Sequence, residues 1–417
     1  MRISATLLLL TSFPSLVRAC DTKEALELDK ILNPGVHGGL GGSSGLGASA
    51  PVTFLPQDKG DESPACLDGT PQGFYFVPSA SGNSTSWTIS IEGGGWCYDE
   101  DSCLSRAGTD LGSSKEWPES NGCGCMNVKE NADIDDTDPI DHDCNCIFLP
   151  YCDGASFSGY RPEPWDVPNS PGEVIYFRGI KNFDGVVDAA LALGMSEATD
   201  FVLTGDSAGG LSTFLHVDRV ASRLPSTTTV TAAPVVGFFL DHDNYAGSDA
   251  NYTAWMKYIY GMQNLTFGTN GGLMAECEAR YPDQPHYCFM SPYMHHVIET
   301  PYYVFNSKFD SWQLENELQT KWETADEQAA VVQYGGDFDQ QFEDVTEEEG
   351  NGAFVSTCLC HGCPWFDLEL EGRNSYQHYA DWKLGRTKGG DAFKIDMRGP
   401  NGDGELVAEG IACSAFP

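Results

Sequence analysis

The sequence predicts an α/β fold: a mostly parallel central sheet flanked by helices, cross-linked by disulfides and carrying loop insertions. Three observations predict it. Short apolar runs alternate with helical periodicities through the middle of the chain, a glycine-rich turn joins one such run to a helix, and cysteines are numerous. Strands that alternate with helices form parallel sheets, because each crossover helix returns the chain to the same end of the sheet.

The elements follow in order. Residues 86–92 alternate like a strand and run into Gly93-Gly94-Gly95-Trp96-Cys97. Residues 174–177 are an apolar run of strand length. Over 182–195, Phe183, Val186, Val187, Ala190, Leu191 and Met195 recur at helical spacing. Residues 201–204 make a buried-type strand, and 208–220 a helix with Leu211, Phe214, Leu215 and Val217 near one face. Residues 228–233 and 302–305 are further strands, and 376–384 is helical.

Arg2, the apolar stretch from Ala5 to Leu10 and the small-residue ending at Ala19 give residues 1–19 the pattern of a secretory signal peptide. Residues 21–34 suit a short helix. The Gly/Ser tract 37–50 has nothing to bury and reads as a linker within an N-terminal segment, 20–65. A single main domain is expected from Cys66 to the end, 66–417. Hydrophobic residues make up 41% of the 417, enough for a sizeable core, and no segment of the mature chain reads as a membrane span.

Fifteen cysteines point to an oxidising compartment and a disulfide framework. Cys358, Cys360, His361 and Cys363 could instead be a zinc cluster, but paired C-x-x-C knuckles at finger spacing are missing. Sequons at Asn83, Asn251 and Asn264 fit glycosylation of an exported protein. The formal net charge of −38 makes nucleic acid an unsuitable partner, because such a surface repels phosphate. Residues 131–143 are an acidic loop lacking the glycine and closing glutamate of a calcium-binding EF-hand loop. Residues 325–350 hold a second acidic cluster and read as a surface insertion.

The chemistry centres on Gly205-Asp206-Ser207-Ala208-Gly209, which lies between the 201–204 strand and the 208–220 helix. G-x-S-x-G in this setting is a nucleophile elbow of the α/β-hydrolase type: the glycines permit a sharp turn that lifts Ser207 above the sheet. Ala208 N–H, at the start of the helix, faces the place where an oxyanion forms. The second donor should come from a glycine loop after an earlier strand, so Gly94 and Gly95 are the candidates. Chymotrypsin-like proteases have a similar G-D-S-G-G, but Ala208 breaks that spacing and no suitable histidine lies upstream.

In α/β-hydrolases the triad order is Ser, acid, His. Asp310 stands just past the 302–305 strand, and only His361 and His378 follow it. His361, in a cysteine-dense loop, is preferred as general base, with Asp310 orienting its ring; His378 lies in the 376–384 helix.

Cys66-Leu67-Asp68-Gly69-Thr70, Glu92 to Cys97, Tyr151-Cys152-Asp153-Gly154-Ala155-Ser156-Phe157, Tyr176-Phe177-Arg178-Gly179, Gly205 to Gly210, Gly237-Phe238-Phe239-Leu240-Asp241 and Asp310-Ser311-Trp312 occur in that order. In this the chain resembles the pectin acetylesterase family, which includes the Notum branch of carboxylesterases. The resemblance implies an α/β-hydrolase fold, secretion, disulfides, no cofactor and no metal. It puts the triad on Ser207, Asp310 and His361, and the oxyanion hole on Gly94, Gly95 and Ala208. Asp206 stands where plant members have Cys, and Pro234-Val235-Val236 replaces a more polar run.

The expected function is hydrolysis of O-acetyl esters on a cell-wall or extracellular polysaccharide. Two alternatives are removal of a longer acyl chain from a protein or lipid, and a non-catalytic acidic protein that binds cations or matrix. Acyl-chain length is set by a pocket for which Val235, Val236, Phe238 and Phe239 are candidates.

Overall fold

The computed structural model describes residues 48–398 and 400, apart from 59, 61, 62 and 266–272. The signal segment 1–19, the helix expected at 21–34 and most of the tract 37–50 lie outside the described residues.

Fourteen strands follow one another: β1 (Ser49–Phe54), β2 (Gly73–Val77), β3 (Ser86–Ile91), β4 (Ser120–Gly122), β5 (Asn145–Leu149), β6 (Trp165–Asp166), β7 (Val174–Ile175), β8 (Asp200–Asp206), β9 (Thr229–Val235), β10 (Tyr303–Ser307), β11 (Gly352–Ser356), β12 (Glu369–Leu370), β13 (Arg373–Asn374) and β14 (Phe393–Ile395). Ten of them form one sheet in the order β14-β11-β10-β9-β8-β3-β5-β2-β1-β4. Neighbours run parallel from β14 to β5, and antiparallel from β5 across to β4. The chain leaves β3 toward β5 on one side and later returns to β8 on the other. Strand order therefore reverses at β3, and clefts for ligands open at the carboxyl ends beside such a reversal.

Side-chain alternation divides the core into two layers. Phe201, Leu203, Val304, Ala353 and Val355 face the helices Gly179–Ala192 and Ala208–Ala221. Val202, Tyr303, Phe305 and Phe354 face the opposite way, onto Tyr379 and Trp382 of the helix Ser375–Lys383. Strands buried on both faces are what parallel sheets require. None of the helices among the described residues is long and apolar enough to cross a membrane.

The structure departs from expectation in three places. The sheet begins at Ser49, before Cys66 and within the end of the tract read as linker. Residues 174–177 do not join the main sheet: β7 pairs only with β6, antiparallel, in a separate ribbon. The segment 325–350, read as a surface insertion, is mostly one 23-residue helix, Ala325–Glu347, opened by a capping box of Thr324 and Glu327. Its Val331, Tyr334, Phe338, Phe342 and Val345 are buried in the core. The acids lie on its other face.

The acidic loop 131–143 is docked rather than free. Lys129 pairs with Asp136 at 3.2 Å, Asp143 accepts from Ser79 Oγ at 2.7 Å, and Asn374 Nδ2 donates to the Thr137 carbonyl at 2.8 Å. All cysteines from Cys66 to Cys363 are disulfide-bonded. The pairs include Cys66–Cys152, Cys97–Cys103, Cys123–Cys146, Cys125–Cys144, Cys277–Cys288 and Cys360–Cys363. The sulfurs of the Cys358–Cys363 cluster are thus committed to disulfides and are not thiolate ligands for zinc.

Candidate active site

Every sequence-predicted site residue lies at the carboxyl end of a parallel strand: Gly94 and Gly95 after β3, Ser207 and Ala208 after β8, Asp310 after β10 and His361 after β11. Ser207 has φ 56° and ψ −123°, the strained conformation of a nucleophile elbow. Its N–H donates to the Val235 carbonyl at 2.9 Å.

The elbow fits because its neighbours lack side chains. A Cβ on Gly205 would lie 2.5 Å from the Gly209 carbonyl oxygen, one on Gly209 2.3 Å from that of Ile91, and one on Gly210 2.4 Å from that of Val235. A Cβ on Gly93 would press on Ser207 Cβ at 2.9 Å, so the glycine loop lies directly against the nucleophile. Gly94 (φ 134°) and Gly95 (φ 64°) adopt backbone conformations that favour glycine. The N–H groups of Gly94, Gly95 and Ala208 donate to no acceptor among the described residues.

Two residues that the sequence reading did not single out hold this arrangement. Buried Arg106 donates through Nη2 to the Gly94 carbonyl at 2.8 Å and through Nε to the Leu111 carbonyl at 2.9 Å. Ser156 Oγ accepts from Trp96 Nε1 at 2.9 Å and donates to the Ala208 carbonyl at 2.7 Å, tying the glycine loop to the first turn of the nucleophile helix. These partners lie 12 and 60 residues away in sequence, so the bonds themselves leave no local pattern, although Ser156 stands in the 151–157 motif.

Asp310 and His361 are in direct contact. His361 Nδ1 lies 2.9 Å and 2.8 Å from the two carboxylate oxygens, with both side chains buried. Asp310 also caps the helix Ser311–Asn316, accepting from Gln313 N–H at 3.1 Å. That bond fixes the carboxylate, which in turn fixes the imidazole. His378 is elsewhere, with Nε2 2.9 Å from the Leu370 carbonyl oxygen, so it has no part in the site.

Buried acids surround the nucleophile. Burial raises Asp206 to about 7, opposed by the nearby His361, and raises Glu92 to about 8. Glu92 accepts from the Tyr151 N–H at 2.9 Å. Burial likewise raises Asp153 to about 7, where it accepts from the N–H groups of Ala155 and Phe157 and holds the turn that carries Ser156.

Four aromatic rings line the imidazole side. Phe239 and Trp312 lie 6.3 Å and 6.1 Å from the His361 ring. Trp96 touches both, at 4.9 Å and 5.6 Å, and Tyr252 closes the group at 5.8 Å from Trp96. Of the four pocket candidates only Phe239 is placed here. Phe238 turns away onto Phe342 and Phe338 of the long helix, and Val235 and Val236 belong to the core layer on the other face of the sheet.

A strained serine at a strand–helix turn, unpaired N–H donors beside it and a buried carboxylate–imidazole pair form the constellation for acyl transfer. The sequence profile of the Pectinacetylesterase family matches residues 46–394. The chain belongs to the pectinacetylesterase family. It is thereby a carboxylic ester hydrolase. Pectin acetylesterase 11 of Arabidopsis thaliana is 30% identical over 335 residues, covering 76% of this chain and 81% of that protein. The palmitoleoyl-protein carboxylesterase Notum of Homo sapiens is 26% identical, covering 80% of this chain and 67% of that one. Among solved structures, the Wnt deacylase Notum from Drosophila superimposes with a TM-score of 0.68 at 23% identity, covering 81% of this chain and 94% of that chain. The likeness to Notum establishes the α/β-hydrolase-like fold. The profile match begins at residue 46, in agreement with a sheet that starts at Ser49.

Proposed function

We propose that this pectinacetylesterase is a secreted serine esterase that removes acetyl groups from an O-acetylated extracellular or cell-wall polysaccharide. The observation that carries the reading is the buried Asp310–His361 pair at 2.8 Å beside a strained Ser207 elbow. Ser207 Oγ attacks the ester carbonyl while His361 Nε2 takes its proton, and Asp310 orients the ring and stabilises the imidazolium. The negative charge on the former carbonyl oxygen is held by the N–H groups of Gly94, Gly95 and Ala208. The sugar alcohol leaves with the proton from His361. Water, deprotonated by the same imidazole, then attacks the acetyl-enzyme, releasing acetate and restoring Ser207.

Acetate as the acyl group fits the aromatic wall. Trp96, Phe239, Tyr252 and Trp312 pack on one another with ring centroids 4.9 to 6.4 Å apart, a compact wall beside His361 suited to a small acyl group. Export is supported by the signal-like residues 1–19 and by the oxidised cysteines. The sequon asparagine Asn83 is exposed in the turn between β2 and β3, where a glycan meets no obstruction.

The test is hydrolysis of p-nitrophenyl acetate, a long-chain p-nitrophenyl ester and acetylated pectin by wild type and Ser207→Ala. The expected result is acetate release by wild type, a preference for the short ester, and loss of at least about 10⁴-fold in kcat in the variant. Equal activity of the two proteins removes Ser207 from the mechanism, and preference for the long ester removes acetate as the acyl group.

A further inference from the structure

His295 and His296 follow the short helix Ser291–Met294, and Glu348 caps the carboxyl end of the long helix Ala325–Glu347. Fifty-one residues lie between His296 and Glu348, yet one donor atom from each of the three lies within 4.8 Å of the others. Glu348 Oε1 is 3.2 Å from His295 Nδ1 and 3.4 Å from His296 Nδ1. Two imidazole nitrogens thus converge on one carboxylate oxygen.

These distances differ from those of the catalytic pair. His361 and Asp310 meet at 2.8 Å, the length of a charge-assisted hydrogen bond. Separations of 3.2 and 3.4 Å are long for such a bond. They match the edge of about 3.3 Å between two ligands of one tetrahedral ion bound at about 2.0–2.1 Å. We propose that His295, His296 and Glu348 form a binding site for a divalent transition-metal cation, separate from the esterase centre.

The surroundings are those of metal ligands. Tyr302 Oη and Asn351 Nδ2 both donate to Glu348 Oε2 at 3.0 Å, which engages the second carboxylate oxygen and leaves Oε1 directed at the histidines. Asn351 is itself anchored by accepting from the Tyr302 N–H at 3.1 Å. Asp344 Oδ2 lies 3.6 Å from His296 Nε2, the ring nitrogen not aimed at Glu348. A carboxylate behind a ligating histidine is a recurrent neighbour in metal sites. His295 is fully buried, while the side chains of His296 and Glu348 are 18% and 29% exposed, which gives an ion a way in and room for water as fourth ligand.

Two imidazoles and one carboxylate suit zinc or a neighbouring borderline cation, not calcium or magnesium, which prefer all-oxygen sites. Such an ion would clamp the end of the long helix to the segment that leads into β10, the strand that precedes Asp310.

The test uses the full-length, oxidised protein after chelator treatment, titrated with Zn²⁺ and in parallel with Ca²⁺, read by calorimetry and by Tm. The expected result is saturable uptake of one Zn²⁺ per chain with a raised Tm, and no such response to Ca²⁺. His296→Ala and Glu348→Gln should abolish the uptake. Tyr302→Phe, which removes only the hydroxyl behind Glu348, should weaken it roughly 10–100-fold. His242→Ala, at the separate His242–Asp337 pair, should leave it unchanged. Absence of saturable Zn²⁺ uptake by wild type, or uptake undiminished in both ligand variants, overturns the proposal. If the variants fail to fold, anomalous scattering at the zinc edge from wild-type crystals decides, since the ion lies between these three side chains or it does not.

Discussion

The two halves of the candidate active site are built by different means. The Ser207 half, β3 and β8 with their following turns, packs mainly backbone against backbone, with Arg106 and Ser156 tying its turns: the glycines at 205, 209, 210 and 237 leave no room for a Cβ. The acid–base half, β10 and β11 with their loops, is held by side chains. Asp310 caps a helix, Gln313 accepts from Tyr334 Oη at 2.8 Å, and Phe309 fits against Gly335 of the long helix, where a Cβ would lie 2.4 Å from the ring. The lesson is that the glycines of the first half admit no Cβ without cost to the fold, whereas the second half can lose its chemistry while the fold survives.

The largest expected effect separates the halves most sharply. Asp310→Asn keeps the side-chain volume and the capping oxygen but leaves His361 without its orienting carboxylate, so kcat should fall about 10⁴-fold with a near-native Tm. Steady-state kinetics and a thermal melt on one preparation check both parts. Gly210→Ala should do the opposite. Its Cβ would meet the Val235 carbonyl oxygen at 2.4 Å and Gly237 Cα at 2.8 Å, and neither can yield. A loss of about 3 kcal/mol or more is expected in chemical denaturation, since overpacking against backbone has no cheap relaxation.

A smaller effect refines the contrast inside the acid–base half. Gly335→Ala pushes on Phe309, next to Asp310, and should cost roughly 1–3 kcal/mol together with part of kcat. Gly336→Ala, the adjacent position with open space around it, should stabilise by about 0.5–1 kcal/mol through helix propensity and leave kcat unchanged. If both variants shift Tm in the same direction, the Phe309 contact does not govern this site.

A separate effect concerns pH. Burial holds Asp206 at about 7 in the folded protein against 3.8 for an unperturbed carboxyl. Between about pH 4 and 7 the folded form keeps a proton that the unfolded chain has released, so this group's contribution falls as pH rises through that window. Asp206→Asn should therefore gain Tm relative to wild type between pH 5 and pH 8. A constant difference across that range would mean that Asp206 is ionised throughout.

The same contrast explains what could be read from the sequence. The elbow was legible because its determinants are contiguous: a strand-length apolar run, five residues of G-x-S-x-G and a helical periodicity. Asp310 and His361 were legible from triad order and from their positions after apolar or cysteine-bearing segments. The long helix was not recognised, because acids are scattered through its sequence and Gly335-Gly336 interrupts it. Its buried stripe of Val331, Tyr334, Phe338, Phe342 and Val345 was nonetheless present at helical spacing. Strand β1 escaped notice because it is mostly exposed near the sheet edge and begins inside a Gly/Ser tract. Arg106 and Ser156 act through partners distant in sequence, and periodicity carries no trace of them.

The bridge made by Ser156 has a consequence for motion. One hydroxyl joins the indole of Trp96 to the first carbonyl of the nucleophile helix, so the loop and the helix start have little freedom to move apart. The oxyanion donors on the two elements then keep their spacing from one turnover to the next, and the arriving ester does not have to order them. Any opening that admits a bulky sugar must come from outside that bridge, where Trp312 and the disulfide-closed loop carrying His361 form the opposite wall.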